Sequence, residues 1–433
     1  MSFRRHEFSR DVFEALAAGG GGAHAVRELA RAQASKHWLL LLRVAREAEA
    51  RGNPQASLAR HGFELLARVA AADPAAAIAA VRHPSVAAWA LGTARALRDG
   101  ASAVSGAEPA RLCAVAAAAA IRAGMPAELS VPTSQGLVLL PSLGAAAAEG
   151  IAATVCCGPG NAVVQSAGVS VVVPRDSHQD APGWHPLRRL TAGSVEVLID
   201  DLDPSRMPGA DTAPRLGAVA AARWQTLFER AWRLIGRHHP TISAELAEAL
   251  VAIVPLVAPA RGQASCSSRD TFGAVALSEP ADPTVFALLL AHEVPHLKLS
   301  AVIDTFPLTE PDDGRRFYVP WREDARPAAA LLQGAYAHLG VTAFWSRQRL
   351  VDTGEAGIRA HAQFALWRAA TAGAIETLLG SGTLTAAGTE FVQIMSRTVR
   401  SWQDDPVPPE AEEVARSEAE RPGTGWHAAN RGL

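Results

Sequence analysis

The chain has 433 residues, enough for two or three structural units, and its 49% hydrophobic and 19% charged residues support a large buried core. A formal net charge of −2 offers no basic field for a nucleic-acid backbone and no acidic solvating tail, so nucleic acid is not an indicated partner. The N-terminus lacks the apolar core of a signal peptide, the Ala-rich runs are too weakly apolar to span a membrane, and the four cysteines are too sparse and irregular for a disulfide framework or a zinc–thiolate site, so a cytoplasmic protein without a membrane partner is expected.

From about Asp11 to Met125 apolar residues recur at helical spacing, as in Val26, Leu29 and Ala30, with breaks at Gly19 to Gly22 and at Gly52-Asn53-Pro54. This predicts an N-terminal helical region over residues 1–127. The composition then shifts. Gly136 to Pro141, Ala153 to Cys157, Val169 to Pro174 and Ser194 to Ile199 read as short strands between Gly, Pro and Asp breaks, a small β-rich region over 128–210. Asp200, Asp201 and Asp203 close the last strand; their spacing is not that of a 12-residue calcium loop, and a structural turn is the reading. Arg215 to Gly236 and Ser243 to Val257 read as helices broken at His238-His239-Pro240, opening a helical region over 211–403. From Asp404 to Leu433 the chain is rich in Pro, Glu and Gly and reads as a mobile tail.

The chemistry lies in His292-Glu293-Val294-Pro295-His296, an HExxH motif. Asp282-Pro283 is a strong helix start, because Asp can cap free N–H groups and Pro is tolerated at the first helical position. At 100° per residue His292 and His296 differ by about 40°, so both project from one face with Glu293 beside them. Leu289, Leu299 and Ile303 share that face, which makes it the buried one, and two histidines with a glutamate buried there can be satisfied directly by a metal. Pro295 removes a donor and crowds the carbonyl of Ala291, so a kink is expected. Lys298, about 200° round from His296, faces away.

Three neighbouring features support the motif. Thr271 to Leu277 reads as a buried strand beside the helix, where HExxH folds set an edge strand that can take up an extended peptide. A further helix from Pro327 carries His338, with Gly334 and Ala335 leaving a bare face around it for close helix approach; His338 is the candidate third ligand, with Asp304, Glu310, Glu323 and Asp324 as rivals. Gln333, about 140° from His338, cannot share the metal with it. Finally, the loop from Arg315 to Pro327 holds Arg315, Arg316, Arg322 and Arg326, suited either to two-point recognition of a carboxylate or to plain surface ion pairs.

Phe272 to Leu277, the segment from His292 to Leu299, Tyr318 to Arg322, Arg326-Pro327 and Leu331 to His338 together resemble the α-ketoglutarate-dependent HExxH-type peptide β-hydroxylases of ribosomal peptide natural-product clusters. Phe13 to Gly22 and the Asp200 to Pro204 turn are also similar to that family, so the resemblance covers most of the chain, with the HExxH core as its specific part. The elements read along the chain predict an α+β, predominantly helical fold with a zincin-like HExxH helix next to an edge strand and a small β region in the middle of the chain, and the resemblance adds the activity. The resemblance implies an iron(II) oxygenase that uses α-ketoglutarate and O2 to hydroxylate a β-carbon in a ribosomally made precursor peptide, often beside a radical-SAM peptide cyclase. His292, His296 and His338 would hold iron, and Tyr318, Arg322 and Arg326 are the candidate cosubstrate contacts. By ligand chemistry alone the motif suggests zinc, with Glu293 as the general base of a peptidase; an inactive peptide-binding protein is the third reading.

Overall fold

The computed structural model describes residues 6–100 and 107–419. Helices α1 (Arg10–Ala17), α2 (Gly22–Ala50), α3 (Ala56–Ala72), α4 (Pro74–Val81), α5 (Pro84–Arg98) and α6 (Leu112–Ala123) come first. Local chemistry sets their ends: the Asp73 carboxylate accepts from Ala76 N–H with Pro74 at the first helical position, and Gly124, at φ 61°, terminates α6 in the left-handed conformation that glycine adopts most easily. Leu112 to Ala120 are buried on every side of α6, and the alanines let neighbours come close. On α3, a Cβ at Gly62 would stand 2.8 Å from the backbone nitrogen of Cys113.

The strands of the middle region are β1 (Ala127–Pro132), β2 (Leu137–Leu140), β3 (Gly144–Ala147), β4 (Ala152–Gly158), β5 (Asn161–Ser166), β6 (Val169–Val172), β7 (Trp184–Pro186), β8 (Arg188–Ala192) and β9 (Val195–Ile199). One antiparallel sheet runs β1-β4-β5-β6 and another β2-β3-β7. Both share a hydrophobic core with the second half of α2 and with α3 to α6, whereas β8, β9, α1 and the first half of α2 join the core around the HExxH helix. The 29-residue α2 thus serves two cores, Val26 and Leu29 in one and Leu41 and Val44 in the other. Burial therefore divides the chain differently from the compositional borders at 127 and 210.

Then follow α7 (Ala218–His238), α8 (Pro240–Ala249), β10 (Ala252–Pro255), β11 (Ser265–Cys266), β12 (Ala274–Leu277), α9 (Pro283–Ile303), β13 (Phe317–Val319), β14 (Arg322–Arg326), α10 (Ala328–Gln348), α11 (Gly354–Gly380), α12 (Ala386–Ser401) and α13 (Pro409–Ala419). A mixed five-stranded sheet runs β11-β12-β10-β9-β8, with β10 parallel to both β9 and β12.

Several expectations are corrected. The helix expected over Ser243 to Val257 ends at Ala249, and Ala252–Pro255 is a central strand buried on both faces, the continuous apolar run that a parallel strand shares with a buried helix. Strand β12 is interior, and the edge beside α9 is β11, paired antiparallel to it. The expected mobile tail contains α13, whose Ala411 and Ala415 are buried against Ala362 of α11; residues 420–433 lie outside the described part.

The acidic turn after β9 is structural, as expected. Asp200 Oδ1 accepts from Leu202 and Asp203 N–H, Asp201 accepts from Arg215 (2.8 Å) and Leu216 N–H (2.9 Å), and Asp203 pairs with Arg111. The Arg111–Asp203 pair ties the segment before α6 to the turn that leaves the mixed sheet. Burial, then the charge of Asp203, pushes Asp200 up to about 7.

Helix α9 starts where its sequence says, with the Asp282 carboxylate accepting from Thr284 (2.8 Å) and Val285 (2.9 Å) N–H. Among the described residues it is the one helix long and apolar enough to cross a membrane, but 83% of its apolar window is buried inside the fold. Apolar residues all round a helix are what a core position requires.

Candidate metal centre

Helix α9 brings His292 and His296 to one face, with ring centroids 5.1 Å apart, and α10 brings His338 within 5.4 Å of His292. His292 and His338 are buried, and His296 is the most open of the three. Burial, then the neighbouring His296 and His338 rings, holds the His292 pKa well below its usual value, so the ring stays neutral and keeps the lone pair a ligand needs.

Of the rivals for the third position, Asp304 and Asp324 are engaged and Glu310 is exposed. Asp304, at the end of α9, accepts from Lys36 (2.7 Å), Gln33 (2.9 Å) and Arg269 (2.7 Å). Asp324 pairs with Arg326, Glu310 is exposed, and the Glu323 side chain lies outside the described part.

His338 is fixed from three directions. Its Nδ1 lies 2.8 Å from the Gly334 carbonyl, an acceptor only, so the proton of the neutral ring sits on Nδ1 and Nε2 carries the lone pair. Its faces stack on Trp321 (4.1 Å) and Trp367 (4.6 Å). The bare face at Gly334 is thus filled by an indole: a Cβ there would meet Trp321 at 3.1 Å. The close helix approach occurs instead at Gly340, where a Cβ would stand 2.6 Å from Pro295 Cγ and 2.9 Å from the Ala291 carbonyl. That carbonyl is the one Pro295 cannot serve as a donor, and the α-helix continues through Pro295 to Ile303.

Glu293 is completely buried, and its Oε1 accepts from the Ser265 hydroxyl at 2.7 Å and stands 3.9 Å from His292 Nε2. Burial raises its pKa, opposed by His296 and by the hydroxyls of Ser265 and Ser267. The adjacent Cys266 thiol is pushed up to about 12 by burial and then by Glu293, which makes it a poor nucleophile.

Two imidazoles sharing one ion at a metal–nitrogen distance of about 2.0–2.1 Å, at right to tetrahedral angles, place their centroids about 4.5–5.2 Å apart. The His292–His296 spacing falls inside that range and the His292–His338 spacing just above it. As placed, no group of three His, Cys, Asp or Glu side chains among the described residues stands in position to hold a metal ion. The donor set therefore fits a metal in kind and in the spacing of its first pair, with His338 slightly wide.

Arg315, Arg316 and Arg326 of the arginine loop do not converge on this space. Arg315 pairs with Asp313, Arg316 with Asp312 and Arg326 with Asp324, all exposed ion pairs of the plain surface kind. Tyr318 is 75% exposed, because alternation along β13 turns Phe317 and Val319 inward and the residue between them outward. Tyr318 and Arg326 thus do not line the histidine cluster, and the Arg322 side chain lies outside the described part.

Lys298 faces away, as expected, into a fully paired setting: its Nζ donates to Glu245 (2.7 Å) and to the Gly19 (2.9 Å) and Gly20 (3.1 Å) carbonyls. A cavity of about 480 Å³ opens on that side, lined by Gly19, Glu245, Pro295 and Gly340 among others and by none of the three histidines.

Sequence reasoning missed Ser265, Trp321 and Trp367 as contacts, and also Gln333, whose Oε1 lies 3.0 Å from His296 Nδ1. Gly334 was the available signal for Trp321, since a mid-helix glycine beside a candidate ligand marks room for a neighbour. No protein-family model matches the chain, and no curated protein matches it.

Proposed function

We propose that this chain is a cytoplasmic iron(II)- and α-ketoglutarate-dependent oxygenase that hydroxylates the β-carbon of a residue in a ribosomally made precursor peptide, alongside a radical-SAM peptide cyclase. The resemblance in the sequence is what favours this over a zinc peptidase, and the complete burial of Glu293 with its Oε1 accepting from Ser265 agrees with it, because a peptidase base must reach the proton of an attacking water. The resemblance in the sequence supplies the substrate and cosubstrate classes.

His292, His296 and His338 would hold the metal, leaving positions for the keto acid and O2. The bound iron would couple decarboxylation of α-ketoglutarate to succinate and CO2 with transfer of one oxygen atom of O2 into the peptide C–H bond and the other into succinate. Trp321 and Trp367 fix the plane of His338, and Ser265 holds Oε1 of the Glu293 carboxylate beside His292. The resemblance makes Arg322 the remaining candidate partner for the far carboxylate of the cosubstrate, since Arg326 is paired with Asp324 and Tyr318 faces outward.

Protein supplied with iron(II), ascorbate, α-ketoglutarate and the precursor peptide is expected to add one oxygen atom per modified residue and release succinate. Peptide cleavage with zinc and no oxygen incorporation would overturn the proposal in favour of Glu293 as a base. Peptide binding without any mass change, unaffected by His292→Ala, would reduce the protein to a carrier.

A further inference from the structure

The two nitrogens of a histidine ligand are distinct, and the partner of one decides whether the other can bind a metal. His296 Nδ1 lies 3.0 Å from Gln333 Oε1, across the interface between α9 and α10. The other end of the same amide, Gln333 Nε2, points at Ser300 Oγ at 3.4 Å. Ser300 lies one turn beyond His296 on α9, so both present themselves to the single glutamine from the facing helix. We infer that Gln333 is the positioning residue of the HExxH site: its amide oxygen holds the proton of His296 on Nδ1, while its amide nitrogen reaches Ser300.

The inference rests on the proposed function for the identity of His296 as a ligand, but its chemistry is local. With Oε1 toward the ring, the neutral imidazole carries its proton on Nδ1 and offers the Nε2 lone pair. With the amide reversed, an N–H would meet Nδ1, the proton would move to Nε2, and the only nitrogen left to ligate would be blocked. His338 has its tautomer set by the invariant direction of a backbone carbonyl, whereas His296 depends on a side chain that could point either way.

Two substitutions separate positioning from packing. Gln333→Glu keeps the shape and presents only acceptors, and Gln333→Met keeps the length and presents no comparable acceptor. Cobalt(II) affinity of the metal-free full chain, measured by competition with a chromophoric chelator, is expected to fall about 10–100-fold in Gln333→Met and to stay within about threefold in Gln333→Glu. Nitrogen NMR of histidine-labelled protein is expected to show His296 protonated on Nδ1 in the parent and in Gln333→Glu, and a mixture of tautomers in Gln333→Met. An unchanged tautomer and affinity in Gln333→Met would overturn the inference, as would Gln333→Glu behaving like Gln333→Met. A parent that binds no cobalt(II) would contradict the proposed function, and the tautomer comparison would still decide the role of Gln333.

Discussion

The two faces of α9 carry buried polar groups that meet opposite fates. On one face Lys298 is closed by Glu245 and two backbone carbonyls, which leaves its ammonium with three protein acceptors for three donors. On the other, His292, His296 and Glu293 gather with His338 around a shared space, and their protein partners serve to orient the rings. A buried charge completed by protein partners is architecture, whereas a buried cluster of oriented lone-pair donors is the start of a binding site. The N-terminal glycine run has its place in this contrast: Gly19 and Gly20 bring bare carbonyls to Lys298, and Gly22 N–H donates to the same Glu245 at 3.2 Å.

The largest expected effect tests the structural face. Lys298→Met leaves Glu245 buried without its cation and should cost about 3–5 kcal/mol in urea unfolding, with most of that recovered in the Lys298→Met/Glu245→Leu double variant. Metal bound per folded chain should not change in either; a loss would mean that the two faces are not independent. Next comes the seam between α9 and α10. Gly340→Ala drives a methyl into Pro295 and the Ala291 carbonyl and should destabilise by about 1–3 kcal/mol by the same measurement, and an unchanged midpoint would show that the helices have room to part.

The smallest effect belongs to the histidine face and appears with pH. His292 has its folded pKa depressed, so below the unfolded value of about 6.5 the unfolded chain binds the extra proton; the contribution is complete above that pH and is lost as pH falls. One such histidine changes stability by at most about 1.4 kcal/mol per pH unit. His37 and His83, both held at about 4 by burial, act in the same direction, while Asp200, pushed up to about 7, and Glu293, also raised, act in the opposite one, so the metal-free parent should lose less stability below pH 6.5 than three histidines alone would cost. His292→Gln should make that acid slope shallower by about one histidine's share, and an identical slope would show that His292 is not held neutral by the fold.

Much of this was legible in the sequence where a single element decides the matter. Asp282-Pro283 marks the start of α9, one helical wheel places His292 with His296 and Lys298 opposite, and the turn at Asp200 to Pro204 needs only local chemistry. What was not legible depends on a second element. Gln333 lies well round α10 from His338, and that angle rightly separates the two on their own helix, but it says nothing about which residue of α9 faces Gln333. Gly334 and Gly340 look alike in sequence, yet one makes room for Trp321 and the other for Pro295. The same limit hid β10, whose short apolar run fits a helix or a strand until its neighbours β9 and β12 are known, and it made the arginines of the 315–326 loop look available when three of them close on nearby aspartates.

The most direct test of the contrast between the two faces is the metal content of protein purified without oxygen and equilibrated with iron(II). The account predicts one iron per chain in the parent and in Lys298→Met, and none in His292→Ala or His296→Ala. A parent without bound iron, or histidine variants that retain it, would contradict the assignment of this face of α9 as a metal centre.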